Sequence, residues 1–329
     1  MNASVLNILE EATELCAVEL QAVDRCIREQ LSSDVMMIPV IGNYIVNSGG
    51  KRLRPLLCIL SARLFDYREQ RHIPLAVVIE FLHTASLLHD DVVDSSDLRR
   101  GTPSANGVWG NQASVLVGDF LFSRAFEMMV SNGQLEILQL LSGVSSTLAA
   151  GEVLQLVRSF HLGMTKAEYL EVIERKTAIL FSAAAEIGAR ISGQQEDTVK
   201  SMAEYGMCLG VAFQLMDDAL DYAADEKAVG KPVGHDLEEG KITLPLIHAM
   251  KRDKALAEVV AGIAERGGYA DNERELVRRA VNETGGIDRC LVTAKQYAER
   301  ARQALPEFGD DRVRCLMVDL AEFSACRPF

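Results

Sequence analysis

Several kinds of signal are missing from this 329-residue chain. No Cys-x-x-Cys pair occurs, and the seven cysteines, Cys16, Cys26, Cys58, Cys208, Cys290, Cys315 and Cys326, are scattered and odd in number. That pattern argues against a disulfide framework or a zinc site and for a reducing compartment, so a cytoplasmic location is expected. Each thiol is expected to fill core space as a small hydrophobe. The amino terminus has no basic segment followed by an apolar stretch, so no signal peptide is expected. No apolar run reaches the roughly 18 residues of a membrane span, so no transmembrane segment is expected. Net positive charge is absent too. The 34 Lys and Arg against 47 Asp and Glu leave −13, the wrong sign for a chain that neutralises nucleic-acid phosphates, and no nucleic-acid partner is expected. There is no alternating strand, no strand–helix–strand rhythm, no low-complexity tract and no long linker.

What is present is helix. Hydrophobic residues make up 48% of the chain, enough for a large core. Apolar side chains recur at three- and four-residue spacing through residues 5–31, 75–93, 115–130, 135–157, 169–191, 199–222 and 291–305. Short Gly-rich turns separate these stretches. All-α and mostly α are the alternatives, and the expectation is all-α, with residues 1–329 forming one domain of many helices.

Within this helical pattern a seven-residue string occurs twice. Residues 88–94 and 215–221 both read Leu-x-Asp-Asp-x-x-Asp, and each closes a long apolar helical stretch. On a helix, residues four apart share a face, so Asp90 pairs with Asp94 and Asp217 with Asp221, with Asp91 and Asp218 turned to one side. Like charges at that spacing repel. A solvated helix end is one reading of such a cluster. Two copies in the same apolar context favour the other, a pair of oxygen-only sites for a hard cation such as magnesium held together with substrate phosphates.

Cations flank the clusters. Residues 49–55 read Gly-Gly-Lys-Arg-Leu-Arg-Pro, which is not a Walker A loop because no Ser or Thr follows the Gly-Lys. Arg99 and Arg100 follow the first cluster, and Lys231 and Lys241 follow the second. These residues are either plain salt-bridge partners or, with a metal present, grips for phosphate oxygens. His83 and His89 are six residues apart and so fall on different faces. A phosphate donor or a satisfied core histidine suits His83 better than a metal ligand.

Taken together, the residues resemble the trans-isoprenyl diphosphate synthases. Residues 90–94 followed by Arg99 and Arg100 match that family's first aspartate-rich motif, residues 217–221 the second, and residues 49–55 its Gly-Gly-Lys-x-x-Arg-Pro segment. Gly118-Asp119, Gly151-Glu152, Lys176-Thr177, Phe213-Gln214 and residues 241–245 are similar to further family positions, so the likeness runs from about residue 35 to 250. Residues 83–90 are similar to the long-chain, octaprenyl-type branch that makes quinone side chains. His235 departs from the Asp or Lys common at that place.

The resemblance implies a helical bundle of the isoprenoid synthase type with two facing aspartate-rich helices around a central cavity. It implies magnesium-dependent addition of isopentenyl diphosphate to an allylic diphosphate such as farnesyl diphosphate, with octaprenyl diphosphate as the expected product. Asp90 and Asp94 would bind two magnesium ions and Asp217 a third, supported by Asp91, Asp218 and Asp221. Arg99, Lys176, Thr177, Gln214, Lys231 and Lys241 would hold the allylic diphosphate. Lys51, Arg54, His83 and Arg100 would hold isopentenyl diphosphate. The released diphosphate would take the proton. A homodimer is implied, and a membrane surface could assist release of the apolar product. Shorter-chain synthase, terpene cyclase and regulatory synthase subunit are the alternatives. The paired basic segments weigh against a cyclase, and the two intact acidic motifs weigh against a regulatory subunit.

Helix geometry also bears on product length. Ser86, Ala85 and Leu82 precede Asp90 by four, five and eight positions, roughly 6 to 12 Å down the helix from the reacting centre. Short-chain members close the pocket with aromatics at the nearer two positions; here both are small. Close helix packing is the other explanation for small residues there. If a tail passes, Met128, Met129 and Leu141 are candidates for the floor.

Overall fold

A computed structural model describes residues 3–47, 50–99, 101–223 and 234–326. The described chain is built of helices, as the spacing of its apolar residues predicts. The first two are α1 (Ala3–Leu15) and α2 (Ala17–Gln30), then α3 (Met37–Asn47), α4 (Leu53–Leu64) and α5 (His72–Val93). They continue with α6 (Ala105–Trp109), α7 (Asn111–Asn132), α8 (Leu135–Val157), α9 (Lys166–Ile173), α10 (Ile179–Ile191) and α11 (Glu196–Ala223). Shorter helices at His235–Glu238 and Leu244–Met250 lead to four more at Lys254–Arg266, Glu273–Glu283, Gly286–Ala304 and Asp311–Ala325.

Helix α5 runs through the centre. Most side chains from Ile73 to Leu88 are buried, because α2, α4, α7 and α10 enclose the helix; His83, Ser86 and Leu87 are among those only partly so. Helix α11 packs against α10 on one side and the Gly286–Ala304 helix on the other. One hydrophobic cluster therefore surrounds α5, and a second surrounds the lower half of α11 and the carboxy-terminal helices. The two aspartate-bearing helix ends emerge between them.

The stretch 169–191 is not one regular helix. A π-helical turn, Glu174–Ala178, separates α9 from α10. Such bulges often mark functional sites. Helix α8 crosses against it at Gly151, where a Cβ would lie 2.9 Å from the Lys176 backbone nitrogen and 2.9 Å from the Arg175 Cβ. Only glycine permits that approach, and it brings Glu152 against Lys176.

Three expectations are corrected. Residues 5–31 form two helices, broken at Cys16. A two-stranded hairpin, β1 (Leu98–Arg99) with β2 (Thr102–Pro103), interrupts the helices; two-residue strands are too short to show a period. Cys315 and Cys326 are exposed and fill no core space. Apart from these corrections, two helices among the described residues are long and apolar enough to cross a membrane by length and composition: α5 and α8, with mean hydropathy 1.3 and 1.4. Neither is an unbroken apolar run, which is why a search for runs overlooks them. The 18-residue apolar window of α5 is 72% buried, as in a core helix, whereas that of α8 is only 33% buried.

Candidate active site

Asp90 and Asp94 lie in and just after the last turn of α5, and Asp217, Asp218 and Asp221 in the last turns of α11. A helix carboxy-terminus carries the negative end of the backbone dipole, so acids there are unfavourable twice over. Each needs a cation or a hydrogen-bond donor.

Those partners come from distant parts of the chain. Lys176 Nζ, on the π-helical turn, lies 3.1 Å from Asp90 Oδ2 and 2.5 Å from Glu152 Oε2. Lys241 Nζ donates to Asp94 Oδ2 at 2.8 Å and to Glu239. Burial works against the charge on both lysines. It is outweighed at Lys176 by Asp90 and Glu152, and at Lys241 by Glu239 and Asp94, so both are held more firmly cationic than free lysine. Burial pushes the Glu152 carboxyl up to about 7 against the pull of Lys176, with Asp90 adding to the rise. Burial likewise disfavours ionised Glu239, but the hydrogen bond from His235 and the Lys241 charge bring it down to about 2.

The middle aspartates are different. Asp91 is buried, and Arg99 clamps it: Nε donates to Oδ1 and Oδ2 at 2.8 and 2.9 Å, and Nη2 approaches Oδ1 to 2.6 Å. The hairpin carries Arg99 there. Asp218 is also buried, accepting from Gln214 Nε2 at 2.7 Å and from the Tyr169 hydroxyl. Burial pushes its carboxyl up to about 7, while Tyr169 and Gln214 pull it back. Asp221 accepts the backbone N–H groups of His235 and Asp236, each at 3.3 Å. Burial, then Asp221 and Asp218, raises the Asp236 carboxyl well above the usual carboxylate range.

Two cavities meet at these residues. The acidic one, about 290 Å³, is walled by Asp90, Asp94, Asp218, Asp221 and Asp236 together with Lys241. The basic one, about 830 Å³, is lined by Lys51, Arg52, Arg54 and His83, with Ser86 and Asp217. They share Leu87, Asp90, Arg99, Lys176, Thr177 and Gln214. Thr177 Oγ1 donates to Gln214 Oε1 at 3.1 Å across the junction. In the basic cavity the Arg54 guanidinium stacks on Phe181, 4.5 Å from the ring centroid, and Lys51 Nζ lies 5.1 Å from that of Phe323.

A family model described as polyprenyl synthetase matches residues 36–283. The chain belongs to the polyprenyl synthetase family. The octaprenyl diphosphate synthase of Escherichia coli (strain K12) is 44% identical over 319 residues, 97% of this chain and 99% of that protein. The all-trans-nonaprenyl-diphosphate synthase (geranyl-diphosphate specific) of Rhodobacter capsulatus is 39% identical over 94% of this chain and 95% of its own length. A crystal structure of a polyprenyl synthase from Caulobacter crescentus CB15, complexed with calcium and isoprenyl diphosphate, has a TM-score of 0.93 at 42% identity and covers 97% of this chain and 98% of its own. The all-α fold is thus the helical fold of polyprenyl synthetases.

In this polyprenyl synthetase the tertiary structure sorts the residues read from the motifs. Asp90, Asp91, Asp94, Asp217, Asp218, Asp221, Lys51, Arg54, His83, Lys176, Thr177, Gln214 and Lys241 all line one or both cavities, Asp91 and Asp218 as buried residues. Arg99 lines both, although its guanidinium is engaged by Asp91. Arg100 and Lys231 lie outside the described residues. Ser86 faces the basic cavity, whereas Leu82, Ala85, Met128, Met129 and Leu141 are packed in the core. His89 lies on another face, its Nε2 3.3 Å from the Val115 carbonyl and 3.3 Å from Asp119. Tyr169, Glu80, Asp236 and Glu239 belong to no motif, and Arg52 is a variable position of the residue 49–55 segment. Glu152 shows only a family likeness in the sequence.

The donor set suits a hard divalent cation. Oxygen ligands gather at two negative helix ends, and lysine ammoniums on flexible stems neutralise Asp90 and Asp94. Among the described residues no three His, Cys, Asp or Glu side chains converge as a metal cluster. One or two carboxylates with substrate phosphates completing the shell is the usual magnesium arrangement.

Proposed function

We infer that this prenyltransferase is a long-chain trans-polyprenyl diphosphate synthase with octaprenyl diphosphate as its product. One observation carries the reading: a carboxylate-walled cavity and a Lys/Arg-lined cavity abut at Asp90 and Lys176. Two diphosphates side by side is what such a pair accommodates. A cyclase needs only one. The 44% identity to an octaprenyl diphosphate synthase over nearly the whole chain supports the product length.

In this reading Asp90, Asp94 and Asp217, with Asp221 nearby, hold magnesium. Bound there, magnesium supplies charge neutralisation to the leaving diphosphate. Lys176 and Lys241 exchange part of their carboxylate contacts for allylic diphosphate oxygens, with Arg99 and Lys231. Lys51, Arg54, His83 and Arg100 hold isopentenyl diphosphate. The Thr177–Gln214 bond fixes the junction between the two substrates. Phe181, Phe213 and Leu87 keep water from the reacting carbons, where it would intercept the allylic cation.

Purified protein supplied with magnesium, farnesyl diphosphate and isopentenyl diphosphate is expected to yield octaprenyl diphosphate on chromatography. Exhaustive chelation should abolish turnover, and magnesium alone should restore it. A farnesyl or geranylgeranyl product would reject the long-chain reading, and full activity after chelation would reject the metal.

The same reading places the chain in the cytoplasm as one domain and a homodimer. Leu116 and Val130 on α7, with Leu135, Val153, Leu156 and Val157 on α8, are exposed apolar side chains. A second copy covers them. Light scattering is expected to give twice the 36.1 kDa chain mass; the monomer mass at micromolar concentration would refute this. A lipid surface then assists only the release of the apolar product.

A further inference from the structure

Arg52 is one of the two variable positions in the Gly-Gly-Lys-x-x-Arg-Pro pattern and has no role in the reading above. Its backbone is nevertheless unusual. With φ 46° and ψ 35° it is left-handed, a conformation that residues bearing a Cβ rarely adopt. Its side chain spans three elements. Nη1 donates to Glu80 Oε1 at 2.5 Å, Nη2 donates to the Val46 carbonyl at 3.0 Å, and Asp24 lies 3.9 Å away. Its carbonyl accepts from Leu56 N at 2.9 Å and so opens α4.

Glu80 is equally unusual. It is 8% exposed and is one of three buried carboxylates among the described residues, with Asp91 and Asp218. The other two belong to the aspartate clusters. Glu80 lies one helical turn before His83 on α5, so the two share a face. Both line the basic cavity with Lys51, Arg52 and Arg54. The ion pair therefore ties the loop carrying Lys51, and the first turn of α4 carrying Arg54, to the α5 face carrying His83. A buried ion pair contributes little net stability, because dehydrating two charges offsets their attraction. What it supplies here is register.

We propose that Arg52 and Glu80 are positioning residues: their ion pair sets the spacing of Lys51 and Arg54 against His83 and thereby the affinity of the basic cavity for isopentenyl diphosphate. The proposal rests on the assignment of that substrate to that cavity. Neither residue needs to touch the reacting carbons.

The test is steady-state kinetics with each substrate varied, on Arg52→Gly, Glu80→Gln and the double variant. Glycine accepts the left-handed backbone, so Arg52→Gly removes the clamp without forcing a new loop conformation. Glutamine keeps the shape of Glu80. Each single variant is expected to raise KM for isopentenyl diphosphate at least about tenfold, with kcat and the KM for farnesyl diphosphate within about twofold of wild type. The double variant carries no orphaned buried charge, so it is expected to keep the wild-type melting temperature and still show the raised KM. Where a single variant fails to fold, the double decides. An unchanged KM, an equal rise for both substrates, or a rise that disappears in the double variant would overturn the proposal. Wild-type protein that consumes no isopentenyl diphosphate would instead refute the proposed function, which separates the two failures.

Discussion

Asp90→Ala, Asp94→Ala or Asp217→Ala is expected to lower turnover at least about a thousandfold while the protein stays folded. That loss corresponds to about 4 kcal/mol of transition-state stabilisation. These three carboxylates line the cavities at the negative ends of α5 and α11, where helix dipole and neighbouring acids both oppose them. Removing one relieves repulsion, and the lysines left behind keep other partners: Lys176 keeps Glu152, and Lys241 keeps Glu239. Circular dichroism and melting temperature should therefore move little.

The middle aspartates supply the contrast. Asp91→Ala strands the Arg99 guanidinium, and Asp218→Ala strands the Tyr169 hydroxyl and Gln214. Breaking a buried pair by deleting one member costs on the order of 3 kcal/mol, so Asp91→Ala should melt several degrees lower as well as lose activity. Near-normal turnover in any of the first three variants would contradict their metal-binding role. A wild-type melting temperature in Asp91→Ala would contradict the structural one.

Ser86→Phe is expected to shorten the product to farnesyl or geranylgeranyl diphosphate while the first condensation stays fast. Ser86 lines the basic cavity four residues below Asp90, and its Oγ donates to the His83 carbonyl at 2.8 Å. A phenyl ring there would stand in the path of a growing tail that starts at the metals and runs inward along α5. Early additions would fit and later ones would meet the ring.

Ala85→Phe, equivalent on a helical projection alone, is not equivalent in the fold. Ala85 is fully buried, and a ring forced into that core costs roughly 1 to 3 kcal/mol through overpacking. It should therefore reduce stability as well as product length. Chromatography of the reaction products and a melting curve on each variant test both statements. Wild-type product at the normal rate from Ser86→Phe would mean that the tail does not pass this face. The buried Met128, Met129 and Leu141 would then lose their place as the proposed floor.

The sequence by itself determined the helical class, the two aspartate clusters and the basic segment beside Gly50. These features are local. Apolar spacing over a few turns decides whether a segment is a helix with a core face, and a string such as Leu-x-Asp-Asp-x-x-Asp contains its own geometry. Which aspartates are buried and clamped and which stay more open to the cavities was decided only by tertiary structure, because several of their partners lie far along the chain. Lys241 reaches Asp94 across 147 residues, and Tyr169 reaches Asp218 across 49. The π-helical turn that presents Lys176 packs closely against α8 at Gly151, a contact to which no helical periodicity points. Ser86 and Ala85 differ by one position, about 100° around α5. That rotation puts one against the cavity and the other in the core, and it has a meaning only once the neighbouring helices have packed.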